Sequence, residues 1–175
     1  MDHFTFYDLP RSFQPDAAAI KRRYYQNSKR FHPDFFTLES DEKQAEILEQ
    51  STRNNEAYRT LSDPDRRMAY LLRLEGALTD NDGSSVPQDF LLEMMDINEG
   101  LMELEFGPDP AAHARVRAQL DALQQALQTT LQPALDRYDA APAERPAALA
   151  IIKDYYLKHK YLLRIRENLD KFAAA

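Results

Sequence analysis

The sequence predicts an all-α protein in two parts, and three observations carry that prediction. Strand signals are weak: the 175 residues hold only 4 glycines, no Asn-Gly pair and no sustained alternation of apolar and polar side chains. Helix starts and stops recur along the chain. A polar stretch over residues 77–87, with glycine and proline, separates two helical regions whose charge differs. Residues 1–75 carry 12 basic and 13 acidic side chains, a net of −1, whereas residues 76–175 carry 10 and 16, a net of −6. The domains expected are therefore 1–76, a linker 77–87, and 88–175.

The elements follow in order. A short helix fits Phe4–Leu9, stopped by Pro10. A second runs from Asp16, available as its cap, to Phe31, and Pro33 stops it because proline disfavours helical geometry in the residue before it. A third spans Asp41–Leu61, with Asp41 and Gln44 placed like a capping box. Ser62-Asp63-Pro64 stops one helix and starts the next, which ends near Gly76. After the linker come Gln88–Phe106, a helix from Asp109-Pro110 to Tyr138 that Pro133 should kink or break, and Glu144–Phe172. In the last of these, Ile151, Tyr155, Leu162, Ile165, Leu169 and Phe172 keep a spacing of three and four. Short loops between the later helices favour an antiparallel bundle.

Composition removes several function classes. Hydrophobic residues make up 43% of the chain, enough for a core. Cysteine is absent, which excludes disulfides, thiolate metal sites and cysteine nucleophiles. The opening MDHFTFYDLP has neither the basic nor the apolar region of a secretory signal, and no apolar run nears the roughly 20 residues that span a bilayer. The expectation is a soluble cytoplasmic protein without membrane contact. A net charge of −7 and a pI near 5.1 argue against nucleic-acid binding.

The second helix has two faces. Ile20, Tyr24, Asn27 and Phe31 share one arc, while Arg22, Arg23, Gln26, Lys29 and Arg30 share the opposite one. Residues 17–31 contain five basic side chains and no acidic one. A helix face that only needs solvation gains by mixing signs at i,i+4, so unmixed charge points to steering toward an acidic partner. This helix runs directly into His32-Pro33-Asp34. Taken singly, the tripeptide fits either a helix stop before a solvated loop or a base with its orienting carboxylate. The catalytic version has no adjacent serine and no cysteine to activate.

Around the tripeptide stand the basic helix, the run Asn55-Glu56-Ala57-Tyr58-Arg59-Thr60-Leu61-Ser62-Asp63-Pro64 and then Arg66-Arg67. This arrangement resembles the J-domain, and Phe6-Tyr7-Asp8-Leu9-Pro10 resembles a variant of that family's start. The resemblance implies an antiparallel helix hairpin that presents His32, Pro33 and Asp34, with Arg22, Arg23, Lys29 and Arg30, to a DnaK-type ATPase chaperone and stimulates its ATP hydrolysis. Two positions depart from the family pattern: Phe35 stands where lysine is common, and Asn54 where an aliphatic residue is common. Phe35 is expected either to pack under the loop or to alter partner preference.

Arg67-Met68-Ala69-Tyr70-Leu71-Leu72-Arg73-Leu74-Glu75-Gly76 and Phe90-Leu91-Leu92-Glu93-Met94-Met95-Asp96, with no Gly/Phe-rich linker and no zinc module, resemble the HscB-type iron–sulfur co-chaperones within the J-domain family. The resemblance covers nearly the whole chain and rests on helix pattern after residue 106. It implies a C-terminal three-helix bundle, set in an L-shape on the J-domain, that binds an iron–sulfur scaffold protein. It implies no enzyme activity, no cofactor and no bound metal or cluster. A J-domain adaptor for a different client protein is the alternative.

The helix expected to meet that client is unusual in itself. Residues 88–109 hold seven acidic side chains and no basic one. Phe90, Met94, Ile97, Leu101 and Leu104 form a stripe that can face a core, which leaves Leu91, Leu92, Met95 and Met102 as surplus. Leu92, Met95, Asp96, Glu99 and Glu103 share one side, an apolar centre rimmed by charge. By resemblance the scaffold-binding residues are Leu91, Leu92, Met95, Asp96, Glu99 and Glu103, with Tyr156 on the last helix. The carboxylate row has no supporting histidine, which weighs against glycosidase or metal chemistry; His3, His113 and His159 are isolated and receive structural or surface roles.

Overall fold

Five helices begin where a side-chain oxygen meets the first free backbone N–H groups, the first of them at Asp2, which accepts from Thr5 N. Asp16 accepts from Ala18 N, Ser40 from Lys43 N, Asp63 from Arg66 N, and Asp109 from both Ala111 N and Ala112 N. The computed structural model describes residues 1–79, 82 and 86–173, and no strand occurs among them. The chain divides into two compact units, Met1–Glu75 and Gly76–Ala175.

The first unit contains α1 (His3–Phe6), α2 (Ala17–Arg30), a 3-10 turn over Pro33–Phe36, α3 (Asp41–Ser62) and α4 (Pro64–Leu74). Tyr24 of α2 stacks on Tyr58 of α3 with ring centroids 4.3 Å apart, and Ser28 meets Asn54. Residues later in α2 thus meet residues earlier in α3, so the pair is antiparallel. Ile20, Ile47, Ala57 and Leu61 are buried between the helices, and Phe4, Tyr7, Leu71 and Leu72 complete the core. Arg67 donates from Nε to the Phe13 carbonyl at 3.0 Å and from a terminal nitrogen to the Leu61 carbonyl at 2.6 Å, tying α4 to the segment before α2.

Two details of this unit differ from the sequence expectation. The first helix covers His3–Phe6 rather than Phe4–Leu9, because Tyr7 caps it and Asp8 turns left-handed at φ 53°. The cap of α3 is Ser40, not Asp41, and Gln44 donates instead to the Thr37 and Glu39 carbonyls, so the two do not make a capping box.

The second unit holds α5 (Gln88–Glu93), α6 (Met95–Glu105), α7 (Pro110–Ala140) and α8 (Arg145–Ala173). Residues 80–81 and 83–85 of the expected linker lie outside the described residues. Leu78 is buried, and Asp82 accepts from Thr79 N and from Lys153 Nζ of α8 at 2.9 Å, so this stretch is partly tied down. The single helix expected over Gln88–Phe106 is two. The chain bends at Met94 (φ −83°, ψ −4°), whose N–H closes the last turn of α5 and whose carbonyl opens α6. Met94 is fully buried, and Phe90, Ile97, Leu101 and Leu104 remain buried on either side, so the bend keeps the expected core stripe inward. These residues pack with Val116, Leu120, Leu162, Ile165 and Leu169 of α7 and α8. In α8 Ile152 is fully buried, whereas its neighbour Ile151 is only half-buried. Pro133 does not break α7, which continues through it.

Close packing of α6 on α7 depends on Gly100. A Cβ built there would lie 2.5 Å from Val116 Cγ2, and Val116 is fully buried and stiff about χ1. Gly100→Ala should therefore lower stability by about 1–2 kcal/mol, overpacking outweighing the helix propensity gained. Thermal unfolding against Glu99→Ala, an exposed neighbour, measures it; a higher melting temperature for Gly100→Ala would show that α7 gives way freely.

Candidate functional site

Two surfaces carry the residues singled out in the sequence, one in each unit. The first is the end of α2. Phe31 N–H closes the helix on the Asn27 carbonyl, and Pro33 forces His32 into an extended conformation (φ −74°, ψ 119°). Pro33 then starts the 3-10 turn, as proline can at a first helical position. His32 Nδ1 accepts from the Asp34 backbone N–H at 3.3 Å, which places the ring proton of a neutral imidazole on Nε2. The Asp34 carboxylate stands 3.8 Å from Nδ1 and is 82% exposed. The loop is thus a small, locally capped turn that holds its carboxylate out to solvent.

Phe35 does not pack under the loop. It is 72% exposed, with its ring 5.3 Å from that of His32, and Phe36 is the one that turns half inward. Leu38 beside it is fully exposed, an apolar position that sequence periodicity had no means to flag outside a helix. Along α2, Arg22, Lys29 and Arg30 are exposed and Arg23 is half-buried. Arg23 pairs with Asp8 at 2.7 Å, Arg22 loosely with Asp16 at 3.5 Å, and the Arg30 guanidinium lies 5.1 Å from the Phe31 ring centroid. The cationic face is real and points away from the α2–α3 contact, with its N-terminal half partly neutralised.

Behind it lies the second departure, Asn54, which is buried. Its Oδ1 and its backbone carbonyl both accept from the Tyr7 hydroxyl, at 3.0 and 2.9 Å. Its Nδ2 donates to the Tyr24 carbonyl and to Ser28 Oγ, each at 3.1 Å. The amide is satisfied on both ends, which removes the penalty that an unpaired buried polar group would carry. Burial also pushes the Tyr7 hydroxyl pKa up, keeping it a donor.

The second surface is the outer side of α5 and α6. Leu92 and Met95 are 65% and 62% exposed, Leu91 less so, and Asp96, Glu99 and Glu103 are all exposed. The rim is not wholly acidic. Arg115 of α7 reaches Glu103 at 2.6 Å, a pairing that lay outside the stretch with no basic residue. Tyr156 is half-buried on α8. No group of three or more His, Cys, Asp or Glu arranged to hold a metal occurs among the described residues. No helix among them is long and apolar enough to cross a membrane.

Residues 2–70 match the DnaJ domain family, and residues 86–170 match the HSCB C-terminal oligomerisation domain. Over 173 residues the chain is 31% identical to the co-chaperone protein HscB homolog of Vibrio cholerae, spanning 98% of this chain and 96% of that one. This chain belongs to the HscB co-chaperone family. Human iron–sulfur cluster co-chaperone protein HscB is 31% identical over 169 residues, covering 96% of this chain and 67% of the human protein. The crystal structure of human co-chaperone protein HscB superposes with a TM-score of 0.72 at 30% identity, over 97% of this chain and 81% of that one. The structure of chaperone HscB from Vibrio cholerae gives 0.67 at 29% identity, over 98% and 99%. This HscB-family chain is accordingly a J-domain co-chaperone of the iron–sulfur cluster assembly class.

Proposed function

We propose that this chain works in the cytoplasm as a coupler, bringing an iron–sulfur scaffold protein to a DnaK-type ATPase chaperone and stimulating ATP hydrolysis there. Residues 1–76 act as the chaperone-binding domain, 77–87 as linker and 88–175 as the client-binding bundle. The chaperone meets His32, Pro33 and Asp34 together with Arg22, Arg23, Lys29 and Arg30. The scaffold meets Leu91, Leu92, Met95, Asp96, Glu99, Glu103 and Tyr156. The observation that carries the reading is the exposed Asp34 carboxylate at the end of a cationic helix, in a chain of the HscB family.

Such a protein performs no bond chemistry and needs no cofactor. It acts by linkage: holding both proteins turns their encounter into an intramolecular event and raises the client's effective concentration at the chaperone. An exposed His32 and an exposed Asp34 suit contact with another protein better than proton transfer in a dry pocket. The test uses purified parts: ATP hydrolysis by the chaperone is followed with this chain, with scaffold, and with both. Stimulation by the chain, raised further by scaffold, is expected; a chain that stimulates but never binds scaffold serves another client.

The cationic face makes a separate expectation. Arg22→Glu with Lys29→Glu reverses charge at two exposed positions and leaves the buried Ile20 untouched. Chaperone affinity should fall about tenfold, and wild-type affinity should weaken as salt rises, since exposed charges are screened over about 8 Å at physiological ionic strength. A titration at three salt concentrations that leaves wild-type affinity flat would count against electrostatic docking.

A further inference from the structure

Eleven large apolar side chains are exposed among the described residues, and five of them fall between Leu91 and Phe106. Leu91, Leu92 and Met95 belong to the client surface proposed above. Met102 and Phe106, 60% and 91% exposed, do not. Met95, Glu99, Met102 and Phe106 follow one another at i, i+4, i+7 and i+11, so they form a single stripe down the outer side of α6 to Phe106, the residue that caps its C-terminus. Met102 has a second aspect. With Asn98, Leu101 and Glu105 it forms one wall of a groove of about 430 Å³, whose other wall is Ile165, Asn168, Lys171 and Phe172 of α8. The groove floor is apolar, through Leu101, Ile165 and Phe172, and opens beside the stripe.

We propose that the scaffold's contact extends along this stripe, with Met102 and Phe106 as additional anchors and the α6–α8 groove receiving an apolar side chain from a basic segment of the scaffold. The inference rests on the client reading above and lengthens its footprint. Charge selects the occupant. Glu99 lies in the stripe, Glu103 and Glu105 flank it, Glu103 shares its charge with Arg115 of α7, and Lys171 is the one base in the groove wall. A second copy meeting the same face in two-fold symmetry would set these carboxylates against each other, whereas a basic surface with an apolar centre complements them. The methionine thioether suits an interface whose partner surface is irregular.

The test is a titration of purified scaffold against the full chain and three variants: the double variant Met102→Ala with Phe106→Ala, the pair Leu92→Ala with Met95→Ala in the client surface proposed above, and Leu48→Ala as an exposed apolar control in the other unit. Thermal unfolding and sedimentation of each are measured alongside. The double variant should bind about tenfold more weakly with unchanged melting, and the control should bind as wild type. Wild-type affinity in the double variant, while Leu92→Ala with Met95→Ala loses binding, overturns the extension and leaves the client reading standing. A wild type that does not bind scaffold overturns both. Concentration-dependent self-association of the free chain, lost in the double variant, would assign the stripe to a second copy and overturn the proposal.

Discussion

Asp34→Asn should leave the fold intact and remove nearly all stimulation of the chaperone ATPase. The side chain is 82% exposed, and the bond that shapes the turn runs from its backbone N–H to His32 Nδ1, which an amide side chain does not disturb. Stability should therefore stay within about 0.5 kcal/mol of wild type, as for most surface changes. What the variant loses is a negative charge. Charge-assisted hydrogen bonds are roughly twice as strong as neutral ones, and losing one partner of a desolvated charge contact costs about 2–5 kcal/mol. Stimulation should fall by a factor of about thirty or more. Single-turnover ATP hydrolysis by the chaperone, with circular dichroism of each variant, checks it; full stimulation by the asparagine variant would end the J-domain reading of this loop.

The second large effect belongs to the bundle. Leu92→Ala, Met95→Ala and Glu99→Ala together should weaken scaffold binding about a hundredfold while basal stimulation of the chaperone is retained. Leu92 and Met95 are 65% and 62% exposed, so shortening them opens no cavity. Each would instead remove about 1–2 kcal/mol of interface contact, within the usual range for alanine scans. Ile97→Ala provides the contrast: Ile97 is 3% exposed two residues beyond Met95, on the other side of the helix, and its loss should cost about 2–5 kcal/mol of stability. Thermal unfolding and titration on one sample separate the two cases. A triple variant that binds scaffold as wild type does would show that the patch is wrongly placed.

Much of the fold follows from local rules that act within a turn or two. Caps at Asp16, Asp63 and Asp109 and the stripe Phe90, Met94, Ile97, Leu101 and Leu104 needed only neighbouring residues to be read. The exposure of Leu92, Met95 and Met102 follows from the same periodicity, since a helix cannot bury all its sides against two others. What the sequence left open depends on distant partners or on close competition between local ones. The bend at Met94 has no glycine or proline to announce it. Ser40 and Asp41 are both good caps, one residue apart, and the choice between them turns on a single hydrogen bond to Lys43 N. Asn54 reads as an odd substitution until Tyr7, Tyr24 and Ser28, 26 to 47 residues away, supply its bonds. Arg115 likewise qualifies the acidic rim only once α7 is laid beside α6.

The Asn54 amide also acts as a vernier for the hairpin. Two helices held by leucines alone can slide past each other by a turn at small cost, because one aliphatic contact replaces another. An amide that must find both the Tyr24 carbonyl and Ser28 Oγ has one seat on α2. Moving one turn toward the N-terminus would offer it the Tyr24 ring in place of Ser28, with the hydroxyl at the far end of that ring, and one turn the other way lies past the helix end, at His32. A slip of one turn would displace the tip of the hairpin by about 5.4 Å. A polar residue in mid-core, 20 positions beyond Asp34 in sequence, thus fixes how far the carboxylate protrudes from the fold.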